Sequence, residues 1–195
     1  LPERFPAREP FRARRNRDEE TVMTGKTYNV LFLCTGNSAR SILAEALLNR
    51  LGEGRFRAYS AGSFPKGDVH PQAFALLDEL GFETQDFRSK SWDEFSAPGA
   101  PEFDFIFTVC DNAAGETCPI WPGKPMNAHW GIEDPAAVEG PGQREAFERT
   151  LHFLSNRISL FLALPHDSID EMVMERKLKE IGRTKGSTAQ VEPTE

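Results

Sequence analysis

The feature that most constrains this chain is the apolar run Tyr28-Asn-Val-Leu-Phe-Leu33, which stops at Cys34. A run this short and nearly uninterrupted marks a strand covered on both faces, the kind found in parallel sheets. Turn-forming residues follow, Thr35-Gly36-Asn37-Ser38-Ala39-Arg40. From Ser41 onward Ile42, Leu43, Ala46, Leu47 and Leu51 recur at helical spacing until Gly52. The unit is strand, tight loop, helix. Further strands are expected over 56–60, 103–109 and 126–130, and the middle one also ends at a cysteine, Cys110. Helices are expected over 71–80 and from 143 onward, where Phe147, Leu151, Leu154, Ile158 and Phe161 share one face. The alternation predicts a single α/β domain built on a parallel sheet with right-handed crossovers and sites at the carboxyl ends of its strands.

The flanks read differently. Residues 1–25 carry six Arg and three Pro before Met23 and no apolar stretch, the composition of a disordered extension. The domain is expected over 26–164. A capping box, Ser168 with Glu171, predicts an additional amphipathic helix within 165–182, and 183–195 reads as a flexible polar tail.

Composition excludes some functions. The net charge of −7 disfavours nucleic acid and anionic membranes as partners. No apolar run reaches the roughly 18 residues of a membrane span. The three cysteines, Cys34, Cys110 and Cys118, are an odd number, which argues against a secreted disulfide framework and for a reducing, cytoplasmic setting. A monomer is expected.

Cys34-x5-Arg40-Ser41 carries the chemistry. Successive backbone N–H groups between a strand end and a helix start can converge on one anion, with the positive helix terminus behind them. The amides of Thr35, Gly36, Asn37, Ser38, Ala39, Arg40 and Ser41 are the candidate cradle, and Gly36 and Asn37 tolerate the positive φ that turns N–H groups inward. Arg40 offers a planar fork to two oxygens, and the same field is expected to lower the Cys34 pKa. The Ser41 hydroxyl can donate to the thiolate. Asp134, before Pro135, is an ordinary turn residue unless the loop is catalytic. Cys110 and Cys118, with seven residues between them, are too widely spaced for a zinc knuckle; they are buried structural thiols or a redox pair. His70 and His129 read as hydrogen-bonded structural groups, and Trp92, Trp121 and Trp130 as packing residues.

The segment Val30-Leu-Phe-Leu-Cys-Thr-Gly-Asn-Ser-Ala-Arg-Ser41 resembles the active-site loop of the low-molecular-weight tyrosine phosphatase superfamily. With Tyr59-Ser-Ala-Gly62, the Cys110/Cys118 pair, His129-Trp-Gly131 and Asp134-Pro135, the chain is similar to its arsenate reductase branch from about residue 29 to 164. The resemblance implies a four-stranded parallel sheet with helices on both faces. It implies Asp134 as general acid and a Cys34–arsenic adduct. Cys110 would attack the adduct, releasing arsenite, and Cys118 would take Cys110 into a disulfide that an external dithiol, thioredoxin, reduces. No bound cofactor is implied.

This chain departs from the family pattern in places. The cysteine pair is one residue wider than in the resembled reductases, and Ala39 stands where many relatives have a fourth cysteine. Ala136 and Ala137 replace the aromatic residues that grip a tyrosine ring in the phosphatases. Some members bind potassium at positions matching Asn37, Glu45, Ser60 and Lys90. A lysine cannot ligate potassium, so no metal is expected and the Lys90 ammonium is a candidate replacement. The leading expectation is arsenate reduction with arsenate as substrate and thioredoxin as partner. The alternatives are a tyrosine or small-molecule phosphatase using Cys34, Arg40 and Asp134, and a non-catalytic oxyanion-binding or phosphocarrier module.

Overall fold

The computed structural model describes residues 25–117 and 119–188. Residues 1–24, Cys118 and 189–195 lie outside it, and with them the expected N-terminal extension, the third cysteine and the end of the expected tail. Strands β1 (Tyr28–Cys34), β2 (Phe56–Gly62), β3 (Phe105–Thr108) and β4 (Met126–His129) form one all-parallel sheet in the order β2-β1-β3-β4. The helices are α1 (Arg40–Leu51), α2 (Pro71–Glu79), α3 (Asp111–Gly115), α4 (Gln143–Leu162) and α5 (Glu171–Gly182).

β1 pairs on both sides, which is why its apolar run is continuous. Val30 and Phe32 face the larger core with Leu43, Phe107, Leu154 and Phe161. Leu31 and Leu33 face the opposite way and are covered by Phe103, Ile106 and Phe95, the last from a 3₁₀ helix at Trp92–Phe95. Trp130 stacks on Phe107 with centroids 3.9 Å apart. Of the expected α4 stripe, Phe147, Leu154, Ile158 and Phe161 are fully buried. Among the described residues no helix is long and apolar enough to cross a membrane.

The C-terminal region differs from its sequence reading in two ways. Asp170 caps α5, accepting from the amides of Met172 (3.0 Å) and Val173 (3.4 Å). The Ser168 amide instead closes a turn onto the Pro165 carbonyl, so the Ser168–Glu171 box is not the cap. Residues 183–188, read as the start of a flexible tail, are held. The Thr188 amide donates to the Gly131 carbonyl at 3.1 Å, its hydroxyl to Asp111 Oδ1 at 2.7 Å, and Ser187 pairs with Ile132. Arg157, buried on α4, donates to the carbonyls of Trp130 (2.6 Å) and Gly131 (3.2 Å). No hydrophobic period announces such a segment, because main-chain bonds hold it.

Beneath the loop that follows β1 lies a buried polar cluster. Asn37 Nδ2 donates to Ser41 Oγ and Ser60 Oγ, each at 2.9 Å, and Asn37 Oδ1 accepts the Lys90 amide at 2.8 Å. The Lys90 ammonium donates to Ser60 Oγ (3.3 Å), the Arg88 carbonyl (3.3 Å) and Glu45 Oε2 (3.4 Å), and Ser60 Oγ donates to that same carboxylate. These are the positions matched to potassium ligands in the resembled family. They do not fit the ion here, because the ammonium already lies against Glu45 and Ser60. Burial pushes the Glu45 carboxyl up, with Lys90 and the Ser60 hydroxyl acting against it.

Lys90→Met leaves that carboxylate without its opposing charge and is expected to cost roughly 3–5 kcal/mol in urea unfolding. Adding Glu45→Gln to it should recover part of the loss. A second expectation concerns His166, whose ring lies 4.7 to 5.7 Å from those of Tyr28, Phe56, Phe105 and Phe161. Its Nε2–H donates to the Phe161 carbonyl at 2.8 Å, while Nδ1 is buried without a partner among the described residues. Burial lowers its pKa below the usual 6.5. The neutral ring therefore adds stability that is complete above 6.5 and lost as pH falls below it. His166→Phe should flatten the pH dependence of the unfolding free energy in that window.

Candidate active site

The loop from Cys34 to Arg40 is shaped by its neighbours. Cys34 pairs with Gly62 across the β1–β2 edge, where a Cβ would lie 2.5 Å from the Thr35 carbonyl and 3.0 Å from the Asn37 amide, so the site requires glycine. The segment 63–70 then clasps the loop from outside. The amides of Phe64, Lys66 and His70 donate to the carbonyls of Thr35 (2.9 Å), Gly36 (3.0 Å) and Ser38 (2.8 Å). In a planar peptide N–H points opposite to C=O, so turning these carbonyls outward turns the amides of Gly36, Asn37 and Ala39 inward. The Asn37 amide is seen doing this, donating to Cys34 Sγ at 3.1 Å. Asn37 holds the required positive φ of 40°.

Cys34 Sγ also lies 3.0 Å from Ser41 Oγ. Because that hydroxyl accepts from Asn37, its own proton is free to point at the sulfur. Burial pushes the Cys34 thiol up, and the Ser41 hydroxyl, the Arg40 guanidinium and the Asn37 amide act against it. The outcome reverses the sequence expectation of a lowered pKa: desolvation of a residue only 4 % exposed, with Cys110 beside it, outweighs the donors around it.

Arg40 opens α1 and reaches across the mouth. Its Nη1 donates to the Ile132 carbonyl at 2.8 Å, and its Nη2 lies 3.3 Å from Asp134 Oδ2. Asp134 Oδ1 accepts the Ala136 amide at 3.2 Å, which fixes the carboxylate at the start of a short 3₁₀ turn with its side chain 38 % exposed. Cys34, Arg40, Ser41 and Asp134 are thus brought to one end of the sheet.

Cys110 arrives at the same end because β3 lies beside β1, with the Val109 amide bonded to the Leu33 carbonyl at 2.8 Å. Its sulfur caps α3, accepting the Ala113 amide at 3.4 Å, and accepts the Thr35 amide at 3.4 Å. Thr35, expected among the cradle donors, thus serves Cys110. Cys118 is outside the described residues. Those residues contain no group of three or more His, Cys, Asp or Glu side chains able to hold a metal ion.

Some neighbours of the site had no sequence signal. Lys66 lays its side chain over Gly36. Phe64, 73 % exposed, follows the clasp to Thr35. Glu116 Oε1 accepts from Thr35 Oγ1 at 3.3 Å. His70 caps α2 by accepting the Gln72 amide at 3.2 Å, and His129 bonds Thr108 Oγ1 and Asp111 Oδ1, each at 2.8 Å.

Comparison with known proteins gives a consistent assignment. The arsenate reductase of Shouchella clausii (strain KSM-K16) is 34 % identical over 134 residues, spanning 68 % of this chain and 93 % of that protein. A solved arsenate reductase in the phosphate-binding state superposes with a TM-score of 0.55 at 26 % identity, covering 70 % of this chain and 98 % of that one. The low-molecular-weight protein tyrosine phosphatase of T. tengcongensis also gives 0.55 at 26 % identity, covering 68 % and 96 %. The family model for low-molecular-weight phosphotyrosine protein phosphatases matches residues 29–175, and with the loop, the arginine and the aspartate in place the chain belongs to that family.

Proposed function

We propose that this protein reduces arsenate to arsenite. The observation that carries the reading is the second thiol: Cys110 is buried at the end of the strand beside Cys34, its sulfur held by the amide of the very next residue, Thr35. A phosphatase needs one thiol; a two-electron reduction needs a second to attack the first. The curated relative described above is itself an arsenate reductase.

In the proposed cycle the inward amides and Arg40 bind the oxyanion, and Cys34 attacks arsenic while Asp134 protonates the departing oxygen as water. A neutral thiol meeting a dianion carries the same total charge as a thiolate meeting a monoanion, so the raised Cys34 pKa is compatible with proton transfer to the incoming substrate. Cys110 thiolate then attacks Cys34 Sγ. A sulfur–sulfur bond forms, the sulfur–arsenic bonding pair passes to arsenic, and arsenite leaves. Cys118 attacks Cys110 Sγ, freeing Cys34, and a dithiol of the thioredoxin class reduces the Cys110–Cys118 disulfide. Three thiols kept reduced between turnovers suit a cytoplasmic location. Ala136 and Ala137 beside Asp134 leave the mouth without the aromatic pair of the tyrosine phosphatases, which suits a small inorganic anion. Exposed Phe64 next to Thr35 favours one secondary reading, slow hydrolysis of aryl phosphates.

Asp134→Asn should slow arsenate turnover by roughly 10²–10⁴-fold while anion affinity changes little, since the amide keeps its place beside Arg40 but cannot donate the acid proton. Weakened binding with unchanged chemistry would make Asp134 structural. The decisive experiment is arsenite production with thioredoxin, its reductase and NADPH. Cys110→Ser and Cys118→Ser are each expected to abolish multiple turnover, yet spare hydrolysis of para-nitrophenyl phosphate, which needs only Cys34, Arg40 and Asp134. Continued reduction by the double variant would remove the relay.

A further inference from the structure

Glu116 lies between the two relay cysteines in the chain, and the cycle above does not use it. Its Oε1 accepts from Thr35 Oγ1 at 3.3 Å, and its Oε2 is buried with no hydrogen-bond partner among the described residues. Thr35 Oγ1 in turn lies 3.6 Å from Cys110 Sγ. A hydroxyl has one proton and two lone pairs; with its proton on Glu116 it is an acceptor for the Cys110 S–H. The three groups form a directed chain from thiol to hydroxyl to carboxylate.

Cys110 has need of one. Its sulfur belongs to a residue only 3 % exposed, so a proton has no open route to bulk water, and ionisation by loss to water would add a negative charge to a buried space. Transfer along the chain adds none, because thiol and carboxylate become thiolate and carboxylic acid. The thiolate is then held by the amides of Thr35 and Ala113, each at 3.4 Å. Cys34 on β1 lies within electrostatic reach of Cys110, and Arg40 on α1 within reach of Cys34. Asp111 in α3 is engaged by His129 of β4 and by Thr188.

We propose that Glu116 is a positioning residue for the relay, taking the Cys110 proton through Thr35 so that Cys110 attacks as the thiolate. The inference rests on the relay reading above. The Cys110 proton moves to Thr35 Oγ1 and the Thr35 proton to Glu116 Oε1. The thiolate lone pair forms the bond to Cys34 Sγ, the sulfur–arsenic pair reduces arsenic by two electrons, and the two sulfurs are oxidised. Glu116 then returns its proton to water.

The test uses the full chain with Glu116→Gln, which keeps the shape and the acceptor for Thr35 but cannot take the proton. Arsenite release in a single turnover without external reductant is followed from about pH 6 to about pH 9, bracketing neutrality and the ordinary thiol range. The expected result is a loss of roughly ten- to a hundredfold near neutrality that shrinks as pH rises through the thiol range. Alkylation of Cys110 by iodoacetamide, mapped by peptide mass, should move to higher pH in parallel, while Cys34 in the same sample keeps its profile. A profile superimposing on that of the unmodified protein, or a loss of equal size at every pH, would overturn the proposal. Arsenite release by Cys110→Ser would instead sink the relay reading, whereas a silent Cys110→Ser beside an unaffected Glu116→Gln would sink only the role of Glu116.

Discussion

Asn37 is the residue on which the arrangement turns. It is fully buried, holds a positive φ, and bonds in two directions at once: its amide to Cys34 Sγ, its side chain to Ser41, Ser60 and the Lys90 backbone. Left-handed backbone is costly for a residue with a side chain, and asparagine bears it because its short amide can be satisfied locally. The surroundings are satisfied in turn, with Ser60 and the Lys90–Glu45 pair closing the cluster underneath. A buried polar network of this kind stabilises one geometry when every member is bonded and becomes a liability when one is removed. The cluster carries its positive charge on a side chain, at the entropy cost of ordering it once, in folding.

The sulfur above this cluster is subject to opposing effects. Burial disfavours its charge, as does Cys110 beside it, while the Ser41 hydroxyl, the Arg40 guanidinium and the Asn37 amide favour it, and burial is the largest. The second thiol reaches it through sheet order. Because β3 pairs with β1 in parallel register, both strands end at the same level, and residues 76 apart in the chain become neighbours. α3, five residues long, is too short to hold itself as an isolated helix. Its anchors are the Cys110 cap, the Asp111 contact with His129, and Thr188 from the C-terminal segment.

That segment has a further effect. By bonding Gly131 and Ile132 it braces the stretch whose carbonyl receives Arg40 and which leads to Asp134. Arg157 reinforces the same stretch from α4, its guanidinium donating to two carbonyls and its pKa lowered by burial to about 10. Residues 187 and 188, beyond the match to the family, thus brace the stretch that leads to Asp134.

What the sequence determined alone is whatever local pattern encodes. Continuous apolar strands, the 3.6-residue stripe of α4, the glycine and asparagine of a tight loop, and the Cys34-to-Arg40 spacing all act over a few residues, and all are found where the pattern places them. Asp134 and the cysteine pair were given roles only through resemblance, since a lone Asp-Pro or two cysteines have no period. Tertiary structure decided the rest. The seating of Lys90 depends on four separate elements meeting in one buried volume. The cap of α5 passed to Asp170 because Ser168 was drawn into a turn, and a polar tail was held by hydrogen bonds that hydropathy does not record. The sign of the Cys34 shift depends on how deeply the loop is buried, and Thr35 serves Cys110 because two strands end side by side. Hydrophobic periodicity reports which face a residue turns inward, but a pKa or a hydrogen-bond partner depends on what stands opposite, and that is set only when distant segments pack.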